Sequence, residues 1–245
     1  MEFKSAKELF RDKIDIGLYV PLFRKMEIDL TYAIYEKEKM ILLFGEAGNG
    51  KSFLMNKVHK TLLEDKEKDF KLYFIANPFE EAEAIDELFL LESDIHRVVF
   101  IDEAQTLSEE KIDRLRMLAD NNSYTIILAT HEKEAKKLFA KKHFKTRINY
   151  FFNLKPLKLS EIELFIISKL VQNGYNDISV LFNKSNFKLI YKITNGNLRE
   201  INRLLYKTFD ILAYFKENHP NKISLKKLEN KYIEMASMDL KGVNA

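Results

Sequence analysis

The chain has 245 residues, with 40 Lys and Arg against 37 Asp and Glu for a formal charge of +3, no Cys, no Trp, four Pro and seven Gly. At 46% hydrophobic and 31% charged it can bury a core, which excludes a disordered polymer, while absent Cys and scarce Gly exclude disulfide scaffolds, collagen-like repeats and glycine-rich linkers. A charge so near neutral is no argument for nucleic acid by itself, and with no bilayer-length apolar run and no apolar leader after Met1 a cytoplasmic location is expected.

The first forty residues read as helical, with Leu22, Met26, Leu30, Ala33 and Ile34 on one face. An apolar strand, Met40 to Phe44, ends in Gly45, and a helix follows over 53–63. Further strands are expected at 70–75, 98–101, 125–129 and 150–154, separated by charged helical stretches. That alternation predicts a mostly parallel sheet covered on both faces. After Lys155-Pro156 no further strand is predicted. Ser160-Glu161-Ile162-Glu163 reads as a capping box opening a helix that Gly174 closes, and another helix over 187–193 should end at Asn195-Gly196. A longer amphipathic helix over 198–215 should turn Ile201, Leu204, Leu205, Ile211 and Leu212 inward, with Pro220 just beyond it. Ser224 is expected to cap a last helix bearing Leu225, Leu228, Tyr232 and Met235. The expected organisation is an α/β domain over 1–155, with a helical lead-in over 1–38, and a helical domain over 156–245.

Three of the seven glycines fall within six positions, in Gly45-Glu46-Ala47-Gly48-Asn49-Gly50-Lys51-Ser52. This is the G-x-x-x-x-G-K-[ST] phosphate loop, whose backbone N–H groups and following helix N-terminus surround an anion. The loop, with Phe53 opening the helix, is expected to hold ATP. Lys51 would reach the β- and γ-phosphates, and the Ser52 hydroxyl would hold Mg²⁺. The second element is Arg97-Val98-Val99-Phe100-Ile101-Asp102-Glu103, an apolar strand ending in two carboxylates. Asp102 would stand in the Mg²⁺ shell and Glu103 would polarise an attacking water. The pair favours ATP hydrolysis, and no guanine-reading Asn-Lys-x-Asp is present. A third strand ends in Thr130-His131, where Thr130 can orient that water. In Gly196-Asn197-Leu198-Arg199, an arginine opens a helix from which it can reach phosphates. The basic stretch 131–147 reads as a DNA-facing surface, a subunit interface or a solvated helix face. Arg147, just before the last strand, is the candidate arginine finger for a neighbouring subunit, with Lys142 and Lys145 as nearby alternatives.

In this order the elements resemble the AAA+ superfamily of P-loop NTPases. The resemblance narrows on Asp102-Glu103-Ala104-Gln105-Thr106-Leu107-Ser108, Leu115-Arg116-Met117-Leu118, Arg147-Ile148, Leu154-Lys155-Pro156-Leu157, Gly174 and Gly196-Asn197-Leu198-Arg199-Glu200-Ile201-Asn202. Together these are similar to the ExeA/MshM-like ATPases of secretion, type IV pilus and DNA-uptake systems, and share much with TniB/TnsC-like transposition ATPases. The resemblance implies a five-stranded parallel sheet with a C-terminal helical lid. It assigns Lys51 and Ser52 to Walker A and Asp102 and Glu103 to Walker B. Thr130 becomes sensor 1, Arg199 sensor 2, and Arg147 the arginine before the final strand. It implies a homo-oligomer with ATP and Mg²⁺ and a partner machine at the inner membrane, or DNA in the transposition-like alternative. The chain departs from secretion relatives in having Thr130-His131 for Gly-Gln and Leu198-Arg199 for Pro-Arg. Larger relatives carry a membrane span and a wall-binding domain, so membrane work here would call for a separate membrane partner.

Overall fold

A computed structural model describes residues 2–11, 23–90, 95–224 and 226–242. Leu22 and Leu225, named above, lie outside the described residues. The chain divides into two compact units, one over Phe23–Lys155 and one combining Met1–Leu22 with Pro156–Ala245.

The first unit alternates helix and strand: α2 (Arg24–Tyr35), β1 (Met40–Phe44), α3 (Lys51–Glu64), β2 (Phe70–Ile75), α4 (Ala82–Glu87), β3 (His96–Ile101), α5 (Glu109–Asp120), β4 (Tyr124–Thr130), α6 (Glu132–Ala140), α7 (Lys142–Lys145) and β5 (Ile148–Asn153). The strands form one sheet in the order β2-β3-β4-β1-β5, every pair parallel. Strands β3 and β4 are buried along their whole length, which is why they read as unbroken apolar runs rather than alternating ones. Successive side chains leave opposite faces. Met40, Leu42, Val99, Ile101, Ile126 and Leu128 pack with α4 to α7 through Ile85, Leu115, Ala135 and Phe144. On the opposite face α3 buries Leu54, Met55, Val58 and Leu62.

His59 of α3 lies against Phe74 and Phe100, with ring centroids 5.1 and 5.4 Å away. Burial there lowers its pKa below the ordinary 6.5. The unfolded chain therefore takes up this proton first as the pH falls, so stability is full above pH 6.5 and declines below it. Between pH 7.5 and 5.5, His59→Leu should lose less of its thermal midpoint than wild type, measured by circular dichroism. The slope should not vanish, because burial lowers His96 in the same direction.

The second unit is helical: α1 (Phe3–Ala6), then α8 (Leu159–Gln172), α9 (Asn176–Ser179), α10 (Lys184–Thr194), α11 (Leu198–Asn218) and α12 (Asn230–Gly242). Of the lead-in expected over 1–38, residues 2–11 pack on these helices. Phe3 and Phe10 lie on Phe209 at 6.3 and 5.4 Å, Lys7 pairs with Asp210 at 2.7 Å, and the buried Lys169 ammonium sits 5.0 Å from the centre of the Phe10 ring. These aromatics find a larger apolar surface on α11 than a short amphipathic helix can supply alone.

Three local expectations shift. Helix α8 starts before Ser160, and it is Glu161 that accepts from the Lys158 N–H at 2.7 Å, so the capping contact forms two residues earlier than expected. Ile211 is only half-buried while Phe209 is buried, because the larger ring fills the seam that α1 shares with α11. Ser224 bonds the Lys226 N–H in a turn, and α12 begins six residues later at Asn230, after Leu228 is already buried. No described helix is long and apolar enough to cross a membrane.

Candidate functional site

The loop between β1 and α3 is anchored to the backbone just after β5. Leu154 N–H donates to the Phe44 carbonyl at 2.8 Å, and the buried Asn49 amide donates to the Leu154 carbonyl at 3.0 Å. Gly45, at φ 154°, passes so close to that carbonyl that an added Cβ would stand 2.2 Å from it, a distance no side chain tolerates. The loop then turns through positive φ at Gly48 and Gly50, and Gly50 leads into α3. The Lys51 side chain is buried under this arch and donates to the Gly45 and Glu46 carbonyls at 2.9 and 3.2 Å. Phe53, on the first turn, packs on Phe23 at 5.5 Å.

Asp102 leaves the C-terminal end of β3, two strands from the loop. The Ser52 hydroxyl and the Glu103 N–H both donate to its carboxylate, the latter at 2.9 Å. Burial pushes its pKa up and the Glu103 charge adds to this, while Ser52, the Glu103 N–H and the Lys51 ammonium pull it down. Glu103 adopts left-handed backbone (φ 48°, ψ 36°), uncommon for a residue with a side chain. Its carboxylate accepts from the Gln105 amide and lies 3.8 Å from His131 Nε2. Thr130 ends β4 beside Phe44 of β1, is 1% exposed, and its Oγ1 has no hydrogen-bond partner among the described residues. Lys51, Ser52, Asp102, Glu103 and Thr130 thus converge at the C-terminal ends of β1, β3 and β4, where open parallel sheets hold ligands.

Arg147 is not part of this group. It precedes β5, whose Ile148 pairs with Met40 and whose Asn153 pairs with Phe44, so it stands at the opposite end of the sheet. At about 3.3 Å per residue that is roughly 16 Å from the loop end of β1. There its guanidinium grips Asp120 through two bonds, at 2.6 and 2.8 Å, beside a cavity of about 430 Å³ lined by Lys37, Glu38, Asn149 and their neighbours. Arg199 is exposed at the start of α11 in the helical unit, where the Asn197 side chain caps the helix on the Glu200 N–H at 3.2 Å. Gly196, just before it, would bring a Cβ to 2.1 Å from the Leu157 carbonyl, and its own carbonyl receives the Leu157 N–H at 2.8 Å. Both leucines of Leu154-Lys155-Pro156-Leu157 therefore hold a glycine by backbone contact.

Residues 37–163, just over half of the chain, match a family model described as an AAA domain. The chain belongs to the AAA domain family. Solved structures place it in the AAA+ P-loop NTPase fold. The Cdc6p protein of Pyrobaculum aerophilum superposes with a TM-score of 0.69 at 15% identity, covering 95% of this chain and 70% of that one. ORC1 of Aeropyrum pernix, in complex with DNA, gives 0.68 at 12% identity over 96% and 69%. ORC2 of the same organism, in ADPNP–ADP complexes, gives 0.64 at 14% identity over 94% and 71%. No curated protein sequence matches the chain.

Three sets of contacts, two at the site and one at the opposite end of the sheet, leave little trace in the sequence. Asn49 is an anchor of the phosphate loop rather than only a member of it. Gln105 and His131 both meet the Glu103 carboxylate. Asp120, the partner of Arg147, gave no signal beyond its place near a helix end.

Proposed function

We propose that this AAA protein binds ATP with Mg²⁺ and hydrolyses it, in a self-assembly whose subunits complete one another's sites. The observation that carries the reading is the convergence of Lys51, Ser52, Asp102, Glu103 and the unpartnered Thr130 hydroxyl at one end of the sheet. The Lys51 ammonium, held by neutral carbonyls in the arch, would meet full negative charge in the β- and γ-phosphates of ATP, cradled by the backbone N–H groups from Gly45 to Ser52.

The donor set suits a hard divalent cation. It pairs a hydroxyl with a carboxylate whose burial penalises its charge, and Mg²⁺ typically takes one or two protein oxygens and completes its shell with phosphate and water. Ser52 and Asp102 would hold it, and when bound it would neutralise charge across the β- and γ-phosphates. Glu103 accepts a proton from water as the water oxygen bonds to the γ-phosphorus. The bridging bond to the β-phosphate then breaks and ADP leaves. The Thr130 hydroxyl, buried without a partner, is free to donate to the γ-phosphate or its water. Arg199 is proposed as the second sensor on the resemblance of residues 196–202 alone.

Lys51→Ala should weaken binding of a fluorescent ATP analogue at least tenfold and abolish phosphate release, because the buried cation goes while the loop glycines stay. Unchanged binding would remove the phosphate-loop assignment.

For the wider system, likeness to ORC1 in complex with DNA favours the reading of a DNA-handling ATPase. A secretion, pilus or DNA-uptake role with an inner-membrane partner rests on the motif resemblance alone. The basic stretch adds less than its composition suggests. Lys136, Lys137 and Lys141 pair with Glu132, Glu134 and Glu109 at 2.8, 3.9 and 3.3 Å. The DNA reading predicts ATP-dependent binding to duplex at 50 mM salt that falls at least tenfold by 200 mM, about the loss expected from two or more phosphate contacts. A fluorescence anisotropy titration with no binding at low salt would sink it.

A further inference from the structure

We propose that Gln105 and His131 are positioning residues that together hold the Glu103 carboxylate in its working orientation, and this rests on the reading of Glu103 as the base given above. Two departures from ordinary structure and one close approach meet at this point. Glu103 takes left-handed backbone at φ 48°, a conformation that an ordinary side chain adopts at some cost. Gln105 turns its amide nitrogen onto Glu103 Oε2 and leaves its own Oε1 buried with no hydrogen-bond partner among the described residues. A buried acceptor without a donor is unfavourable, so the bond to Glu103 outweighs satisfaction of Gln105 itself. His131, the residue after β4, brings Nε2 to 3.8 Å from the same oxygen.

The two contacts come from different elements, the turn after β3 and the end of β4, and they converge on one atom. Without them the carboxylate is tethered only by its own rotatable side chain, and that side chain is 46% exposed. The backbone around it is already fixed, since the Thr106 N–H and hydroxyl both donate to the Glu103 carbonyl at 2.9 Å. What remains to be set is the side-chain direction. With Oε2 engaged, Oε1 is the oxygen left to accept the proton from water as that water bonds to the γ-phosphorus and ADP departs. A general base contributes only when it is held within reach of the proton it takes. Neither Gln105 nor His131 needs to touch nucleotide for this.

The test uses the full chain and compares Gln105→Met, His131→Ala and His131→Gln with Glu103→Gln as reference, measuring steady-state ATPase kinetics and the affinity for a fluorescent ATP analogue. Gln105→Met keeps length and removes the donor; His131→Gln keeps a polar side chain of similar reach. Gln105→Met and His131→Ala should each lower kcat about tenfold with KM and nucleotide affinity within twofold, and His131→Gln should recover most of the loss. Unchanged kcat in both, or a rise in KM alone, would overturn the clamp while leaving Glu103 as base if Glu103→Gln is inactive. Loss of nucleotide binding in both variants would assign the two residues to loop folding and overturn it equally. Full turnover by Glu103→Gln would instead remove the base itself, a separate failure.

Discussion

Glu103→Gln is expected to bind ATP as well as wild type or more tightly and to hydrolyse it about 10²- to 10⁴-fold more slowly, the range by which a positioned general base accelerates a reaction. The carboxamide has the same length and shape, so the turn from Asp102 to Thr106 keeps its backbone bonds, and the half-exposed side chain contributes little to stability. What changes is proton affinity: an amide cannot accept the proton of the attacking water. Binding should not suffer, because the charge of Glu103 is one of the influences raising the pKa of Asp102. Removing that charge shifts the Asp102 pKa down, the direction that favours holding a cation with Ser52. Calorimetric titration with ATP and a phosphate-release assay read the two halves separately. Turnover at the wild-type rate would show that another group activates the water.

The contrast between Lys51 and His131 shows which parts of this site were legible in the sequence. The phosphate loop is a local device: its glycines, lysine and serine are consecutive, and their spacing is their geometry. The Asp102-Glu103 pair was readable for the same reason, since a fully buried strand leaves a long apolar run and its end is marked by the first charge. Contacts made across the chain were not readable. Asn49 meets Leu154 from 105 positions away, and His131 meets Glu103 from 28. Nothing in either neighbourhood records the other. The fold followed the same division. Strand positions came from burial, which leaves a compositional trace, and the described strands run β2-β3-β4-β1-β5 as a parallel sheet. The placement of Phe3 and Phe10 on Phe209 came from a pairing between chain ends that no periodicity within residues 2–11 could express. Ser224 misled because a serine bonding its own turn looks, in sequence, like a serine bonding a helix.

Arg147→Ala is expected to abolish the rise of specific ATPase activity with protein concentration, by about 10³-fold or more if the guanidinium stabilises the transition state in a neighbouring subunit. Its position argues for action between chains. It lies at the N-terminal end of β5, whereas the phosphate loop follows the C-terminal end of β1, the strand beside it. No rotamer of a single arginine spans a strand's length, so its own nucleotide is out of reach. Two consequences of the substitution must be separated, because Arg147 also grips Asp120, holds that carboxyl below the usual carboxylate range and thereby ties α5 to β5. The pair is partly exposed, so its loss should cost only about 0.2–1 kcal/mol, far less than the rate effect. Asp120→Asn provides the control: it weakens the tie but keeps the guanidinium, so activity should still climb with concentration. If Arg147→Ala keeps the same climb, the arginine serves only the Asp120 contact. If Asp120→Asn loses the climb along with Arg147→Ala, what assembly needs is the tie between α5 and β5 rather than a charge offered to the neighbouring nucleotide.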